Sequence, residues 1–593
     1  MDNSYWILYS LLLINILCML RVCFCESVQL RLKQGELSGV VEKSFLSEQN
    51  YYAFRGIPFA EPPVGSLRFK PPVPNHEWEG TYEAHHNKPT CVQYSVRNRN
   101  DEPLGISGSE DCLYLSVFTP NLDGSSPVIV FDYNDHFKTG FNGSHTYSPE
   151  FFIQEDVIVV YISHRLGVFG YLTTEDEVIP PNAGLKDFIL GLKWVQENIK
   201  DFGGDPKRVT LMGNNGGAVI ANLLLYSKQA KDLFTAIIIH SGSAMESTLF
   251  YSNPRSKSFR LGELLNIETT DSSELLENLQ RLDKDVLVSE QDMVIDDDLM
   301  DNYQMSIHPF SPTIEKDSAD AILTSLPEKL NIINDVPVMI GFNSREGLDF
   351  ASHYIIEPRM INNNPNYFFV FPVRVDFRFD RNSSIYEKAL EEIKYYYMKD
   401  GYLHHKNILE YTVYVGDVLK IYAAHVAAKT LARGLQSNVY YYKFDFRGLL
   451  NENSNYLSKI ARFGIGHWGA TVTDELCYLY LCSRIKKTYK ELNELPSQQP
   501  EYKVLNKMVI LWTNFAKTRN PTQPGEDEIL KNFKWLPINK DADEMNYLHI
   551  TKQLKMKLNP LDDRAEFWLT FLDKYSKLAV NGLVQENLSH DEL

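Results

Sequence analysis

The stretch Val209-Thr-Leu-Met-Gly-Asn-Asn-Gly-Gly-Ala-Val-Ile220 has the residue types of a strand, a sharp turn and a helix in immediate succession. Gly213 and Gly217 stand two residues before and two after Asn215. A nucleophile elbow needs that spacing, because its turn leaves no room for side chains there and holds its apex in a strained backbone conformation. Such an apex serves acyl transfer when it carries a hydroxyl, and here it is Asn215. A side-chain amide has no ionisable proton for a base to remove, so it cannot form an acyl-enzyme. Deamidation before Gly216 would give an aspartate at the apex. Without a histidine to activate water, an ester formed on that aspartate would not turn over.

The elements that must position this turn are legible as apolar runs. Leu113–Phe118, Pro127–Phe131, Val157–Ile162, Val209–Met212, Ala236–Ile239, Pro337–Gly341 and Val439–Phe444 read as strands buried on both faces, and Val28–Lys33 as a short alternating strand. Helical patterns lie between them at Asn182–Ile199, Ala218–Leu233, Ile385–Tyr397, Val415–Arg433 and Asp562–Lys577, with further charged helices over Ser256–Met300. The Pro- and Gly-rich segment Arg55–Phe69 reads as an ordered loop. Strands alternating with helices predict the α/β class, with a large, mostly parallel central sheet and helices on both faces. No internal repeat or low-complexity linker divides the chain, so a single large domain over residues 26–580 is expected. At 593 residues and 44% hydrophobic content, the chain can bury a core of that size.

A formal net charge of −18 argues against nucleic acid and against anionic membrane surfaces. The Asp296–Asp298 run reads as a loop rather than a metal site, and no cofactor is called for. Residues 1–25 have the short apolar core and small terminal residues of a signal peptide. Residues 581–593 form a tail ending in His590-Asp-Glu-Leu593, an address read by the endoplasmic reticulum retrieval receptor. No later stretch is long and apolar enough to span a bilayer. Together these features place the mature chain in the endoplasmic reticulum lumen. Four cysteines follow the signal segment. Cys91 and Cys112, in polar surroundings, read as a disulfide, whereas Cys477 and Cys482 lie in an apolar run and read as buried free thiols. Glycosylation sequons occur at Asn142 and Asn382, and a third, at Asn587, lies close to the terminus.

Arg55-Gly-Ile-Pro-Phe-Ala-Glu-Pro-Pro63, Glu110-Asp-Cys-Leu-Tyr-Leu-Ser-Val117, His164-Arg-Leu-Gly-Val-Phe-Gly-Tyr171, Phe202-Gly-Gly-Asp-Pro206 and Trp512–Thr518 together resemble the carboxylesterase/cholinesterase family of the α/β-hydrolase fold. The resemblance covers nearly the whole mature chain and also implies the Cys91–Cys112 disulfide. It implies a triad whose nucleophile position is Asn215 and whose acid, in Gly341-Phe-Asn-Ser-Arg-Glu-Gly347, is Glu346. In Gly469-Ala-Thr-Val-Thr-Asp-Glu-Leu-Cys-Tyr-Leu-Tyr480 the base position falls on Val472, which cannot accept a proton. His467 lies five residues earlier and reads as a structural histidine. The three glycines that form the family's oxyanion hole are replaced by Asn134, Asp135 and His136.

The expectation is therefore a catalytically inactive, cholinesterase-like pseudoenzyme that binds a protein partner in the lumen. Two alternatives stand beside it: a carrier of small apolar ligands in the old gorge, and an ester hydrolase with an unconventional site. The resemblance also leaves open a homodimer through C-terminal helices.

Overall fold

The computed structural model describes residues 26–586 except 96–104, 142, 251–252, 296–303, 305–307, 358, 360–370, 462–468, 524–528, 532 and 542. The signal peptide expected over residues 1–25, the His590–Leu593 tail, Asn142, Asn587, Asp296–Asp298 and His467 thus lie outside the described residues.

Twelve strands form the backbone of one sheet. In chain order they are β1 Ser27–Leu32, β2 Gly35–Lys43, β3 Asn50–Pro58, β4 Tyr114–Thr119, β5 Ser126–Asp135, β6 Ile158–Ile162, β7 Gly204–Asn215, β8 Ala236–His240, β9 Val338–Asn343, β10 Val439–Phe444, β11 Asn546–Ile550 and β12 Leu554–Leu558. Their spatial order is β1-β2-β3-β4-β6-β5-β7-β8-β9-β10-β11-β12. From β6 to β11 every neighbour is parallel, and the two ends are antiparallel.

The apolar runs are continuous because both faces of the sheet are covered. Val128 and Val130 of β5, Ile158 and Val160 of β6, and Ile237 and Ile239 of β8 point into one core. Their neighbours Ile129, Phe131, Val159 and Ile238 point into the other, as the two-residue repeat of a strand dictates. The first core is closed by helices α1 (Ala183–Asn198), α2 (Gly216–Leu224), α3 (Ile408–Gly416), α4 (Tyr422–Gly434) and α6 (Arg564–Ser576). The second is closed by α5 (Pro500–Thr518).

Three sequence expectations need correction. Arg55–Pro58 is strand rather than loop: β3 continues through it with an irregular register against β4. The helix expected over Ala218–Leu233 ends at Leu224 and is followed by a short turn at Lys228–Ala230. Cys477 and Cys482 are not free thiols but a disulfide, with Cα atoms 5.4 Å apart. The tight helical turn Asp474–Tyr478 folds the chain back before Leu481–Cys482, so two residues that an extended run would separate meet face to face. The Cys91–Cys112 disulfide is present, and Asn382 sits exposed in a turn. Among the described residues no helix is long and apolar enough to cross a membrane.

Candidate functional site

β7 runs without a loop into α2, and the turn between them is the elbow. Asn215 holds it with φ 55° and ψ −115°, a combination that an L-residue keeps only when its surroundings enforce it. The enforcement is steric and comes from all three glycines. A Cβ on Gly213 would lie 2.1 Å from Gly217 O, and one on Gly217 would lie 2.3 Å from Asp132 O. One on Gly216 would lie 1.8 Å from Asn134 Oδ1. On the sheet side Asn215 pairs with Asn134 of β5 and Asn214 with His240 of β8, so the apex sits at the carboxyl ends of the central strands.

The amide of Asn215 is held at both ends. Lys420 Nζ donates to its Oδ1 at 2.8 Å, and its Nδ2 donates to Asp135 Oδ1 at 2.9 Å. An ammonium only donates, so the contact fixes which end of the amide is oxygen. Lys420 also donates to both oxygens of Glu246, at 3.1 and 3.0 Å, and Glu246 in turn accepts from Ser243 N–H. Lys420 and Glu246 are each about as buried as a side chain becomes, at 1% exposure. Asp417–Ile421, between α3 and α4, is a π-helical turn, an irregularity that re-aims side chains and often marks functional sites. From this one turn Lys420 reaches the elbow while Asp417 takes Arg564 Nη1 at 2.6 Å and Tyr397 OH at 2.7 Å.

Of the three residues expected over the oxyanion hole, Asn134 and Asp135 touch the elbow and His136 is joined to it through Asp135. β5 continues as strand through Asn134 and Asp135, which pair with Gly140 and Thr139. Asn134 is buried, its Nδ2 bonded to Asp132 and its Oδ1 taken by Phe137 N–H. Asp135 lies at the rim. About half of its side chain is exposed; the protein packed around the rest works against ionisation, but His136 at 2.6 Å, then Lys420 and Asn215, hold its carboxyl below the usual range. The His136 ring lies against that of His308, at 4.5 Å between centroids. Burial, then the neighbouring His136, Lys138, Lys420 and Lys257, keep His308 well below the usual histidine range. Burial alone lowers Lys257 to about 7.

Glu346 follows β9 and is fully buried. It accepts from Asn343 N–H at 2.7 Å, and its Oε2 makes no well-formed hydrogen bond. Burial first, then the charge of Glu475, pushes its pKa up to about 8 despite nearby Ser241, so it is mostly protonated at neutral pH. Glu475 is satisfied by Asn214 and Asn343, at 2.7 and 2.6 Å. Val472 is buried, and its carbonyl accepts from Asn453 Nδ2. Its side chain offers nothing to bond either carboxylate.

An elbow at the carboxyl end of a central parallel strand, with an acid on the loop after β9, is the architecture of an α/β-hydrolase, and the comparisons agree. Residues 26–568 match the model of the carboxylesterase family. The chain belongs to that family. This carboxylesterase-family chain is 30% identical to esterase FE4 of Myzus persicae over 93% of its length and 94% of that protein. It is 28% identical to juvenile hormone esterase of Tribolium castaneum, over 90% of this chain and 92% of the relative. It is likewise 28% identical to carboxylesterase 1E of Rattus norvegicus, over 83% and 86%.

The sequence pattern points to Asn215, Glu346, Val472, Asn134, Asp135 and His136, but not to Lys420, Glu246 or His308. Lys420 did leave a trace: it is a lone charge inside the apolar run Val418-Leu-Lys-Ile-Tyr-Ala-Ala424.

Proposed function

We propose that this protein is a non-hydrolytic member of the carboxylesterase family, retained in the endoplasmic reticulum lumen, where it binds a protein partner. The observation that carries this reading is the amide of Asn215 held between Lys420 and Asp135 at the elbow apex. Ester hydrolysis by such a site needs a hydroxyl, a base beside it and backbone donors for the oxyanion. Here the apex is an amide and the base position is a valine. An anionic carboxylate faces the place where negative charge would develop. Loss of the nucleophile or base alone costs roughly a million-fold in a comparable triad. The residual rate of such variants depends on an intact oxyanion hole. The lumenal address rests on the signal segment and the His590–Leu593 tail.

A carrier function would need more space than the two described cavities beside Asp132 and Tyr133 provide. Two cavities lined in part by Asp132 and Tyr133 beside the elbow have volumes of about 30 Å³ each. That is water-sized, whereas ligand pockets are roughly ten times larger or more. The esterase names of the relatives favour the hydrolase reading, and one experiment separates it from ours. Purified protein is assayed with short-chain nitrophenyl esters and with an organophosphate active-site label. Silence in both is expected. Turnover that disappears in Asn215→Ala would overturn the proposal.

A further inference from the structure

We propose that Asn215–Gly216 is a self-modifying site, at which the Gly216 backbone nitrogen attacks Asn215 Cγ, ammonia leaves, and a cyclic imide forms at the elbow apex. Atoms balance without a co-reactant. The Gly216 N–Cγ bond forms as the Cγ–Nδ2 bond breaks, and the proton released by Gly216 N goes to the departing nitrogen.

The backbone carries the argument. In an L-residue, Cβ stands a third of a turn from the backbone nitrogen about the Cα–C bond. The ψ of −115° at Asn215 therefore swings Gly216 N until it nearly eclipses Cβ, the torsion that a five-membered imide ring requires. Helical and extended residues, with ψ near −42° or about +135°, hold the next nitrogen far from that position. The elbow thus imposes on Asn215 a conformation that an unfolded Asn-Gly visits only in passing.

The neighbours favour the same reaction. Lys420 donates to Oδ1, the atom on which negative charge develops as the nitrogen adds. Asp135, backed by His136 at 2.6 Å, accepts from Nδ2, the atom that leaves. These groups polarise the carbonyl and stand where the proton is transferred. Gly216 opens α2, and the first amides of a helix have no intrahelical acceptor, so losing its N–H breaks no helical bond. Proline is tolerated at this position for the same reason. Asn215 is 2% exposed, which restricts the water that would open the ring.

Asn581–Gly582 is an internal comparison, because it is the same dipeptide in an exposed turn between Ala579–Val580 and Leu583–Val584. Folded full-length protein is aged at neutral pH and mapped by peptide mass under acidic conditions, with hydroxylamine cleavage of imides in parallel. The peptide containing Asn215 should lose one ammonia and cleave with hydroxylamine between Asn215 and Gly216. The Asn581 peptide should instead gain one mass unit, through hydrolysis to aspartate or isoaspartate. Asn215→Gln, which cannot close the same ring, should keep its amide. An unmodified amide at Asn215 would overturn the proposal, as would conversion seen only after unfolding in urea or an ammonia loss that persists in Asn215→Gln.

Discussion

Lys420 and Asn215 are 205 residues apart in the chain, yet the lysine ammonium donates to the asparagine side-chain oxygen at 2.8 Å in the buried elbow. A charge so placed needs a counter-charge, and Glu246 supplies it. Removing one partner leaves the other buried and unpaired. Lys420→Met should therefore destabilise the fold by about 3–5 kcal/mol, and the double variant Lys420→Met/Glu246→Gln by clearly less. Urea denaturation of both variants measures the difference. Equal losses would mean that the pair is not coupled.

Glu346 should make stability depend on pH. Its folded pKa, near 8, lies above the value of 4.5 for an unperturbed carboxyl. In that interval the folded state binds more protons than the unfolded one, so stability falls as pH rises. The contribution is present in full below the unfolded value and is lost as pH passes through the folded one. Melting temperatures recorded between about pH 5 and about pH 9 should decline more steeply in the wild type than in Glu346→Gln. Parallel curves would show that the carboxyl does not titrate in this window.

The two disulfides should differ in weight. Closing the longer loop, Cys91–Cys112, restricts the unfolded chain more than closing Cys477–Cys482. Replacing the first pair by serine should cost about 3 kcal/mol and replacing the second about 2 kcal/mol. A non-reducing peptide map tests the second bond directly, since free thiols there would alkylate without reduction.

Placing a serine at position 215 and a histidine at position 472 should not produce hydrolysis. In Asn215→Ser/Val472→His, Asp135 still faces the apex, Asn134 still fills the space beside Gly216, and Lys420 remains paired with Glu246. The expected rate with nitrophenyl esters is no greater than that of the wild type. A robust gain would show that the strand through Asn134 and Asp135 is no obstacle to an oxyanion.

Much of this was legible in the sequence. The runs Val157–Ile162 and Ala236–Ile239 announce buried strands, because only a sheet covered on both faces tolerates uninterrupted apolar residues. The glycines around Asn215 announce the elbow, because backbone atoms approach there too closely for any Cβ. These are local properties, written in neighbouring residues. The partners of Asn215 are not local. Which charge meets the amide depends on the π-helical turn that aims Lys420 inward and on the sheet order that brings β5 beside β7. Cys477 and Cys482 pair because a single helical turn reverses the chain, which an apolar run read as extended does not reveal. Sequence determined the scaffold and the residue at its apex through short-range sterics and hydrophobic periodicity. The tertiary structure decided what that residue touches, because buried charges are matched through space rather than along the chain.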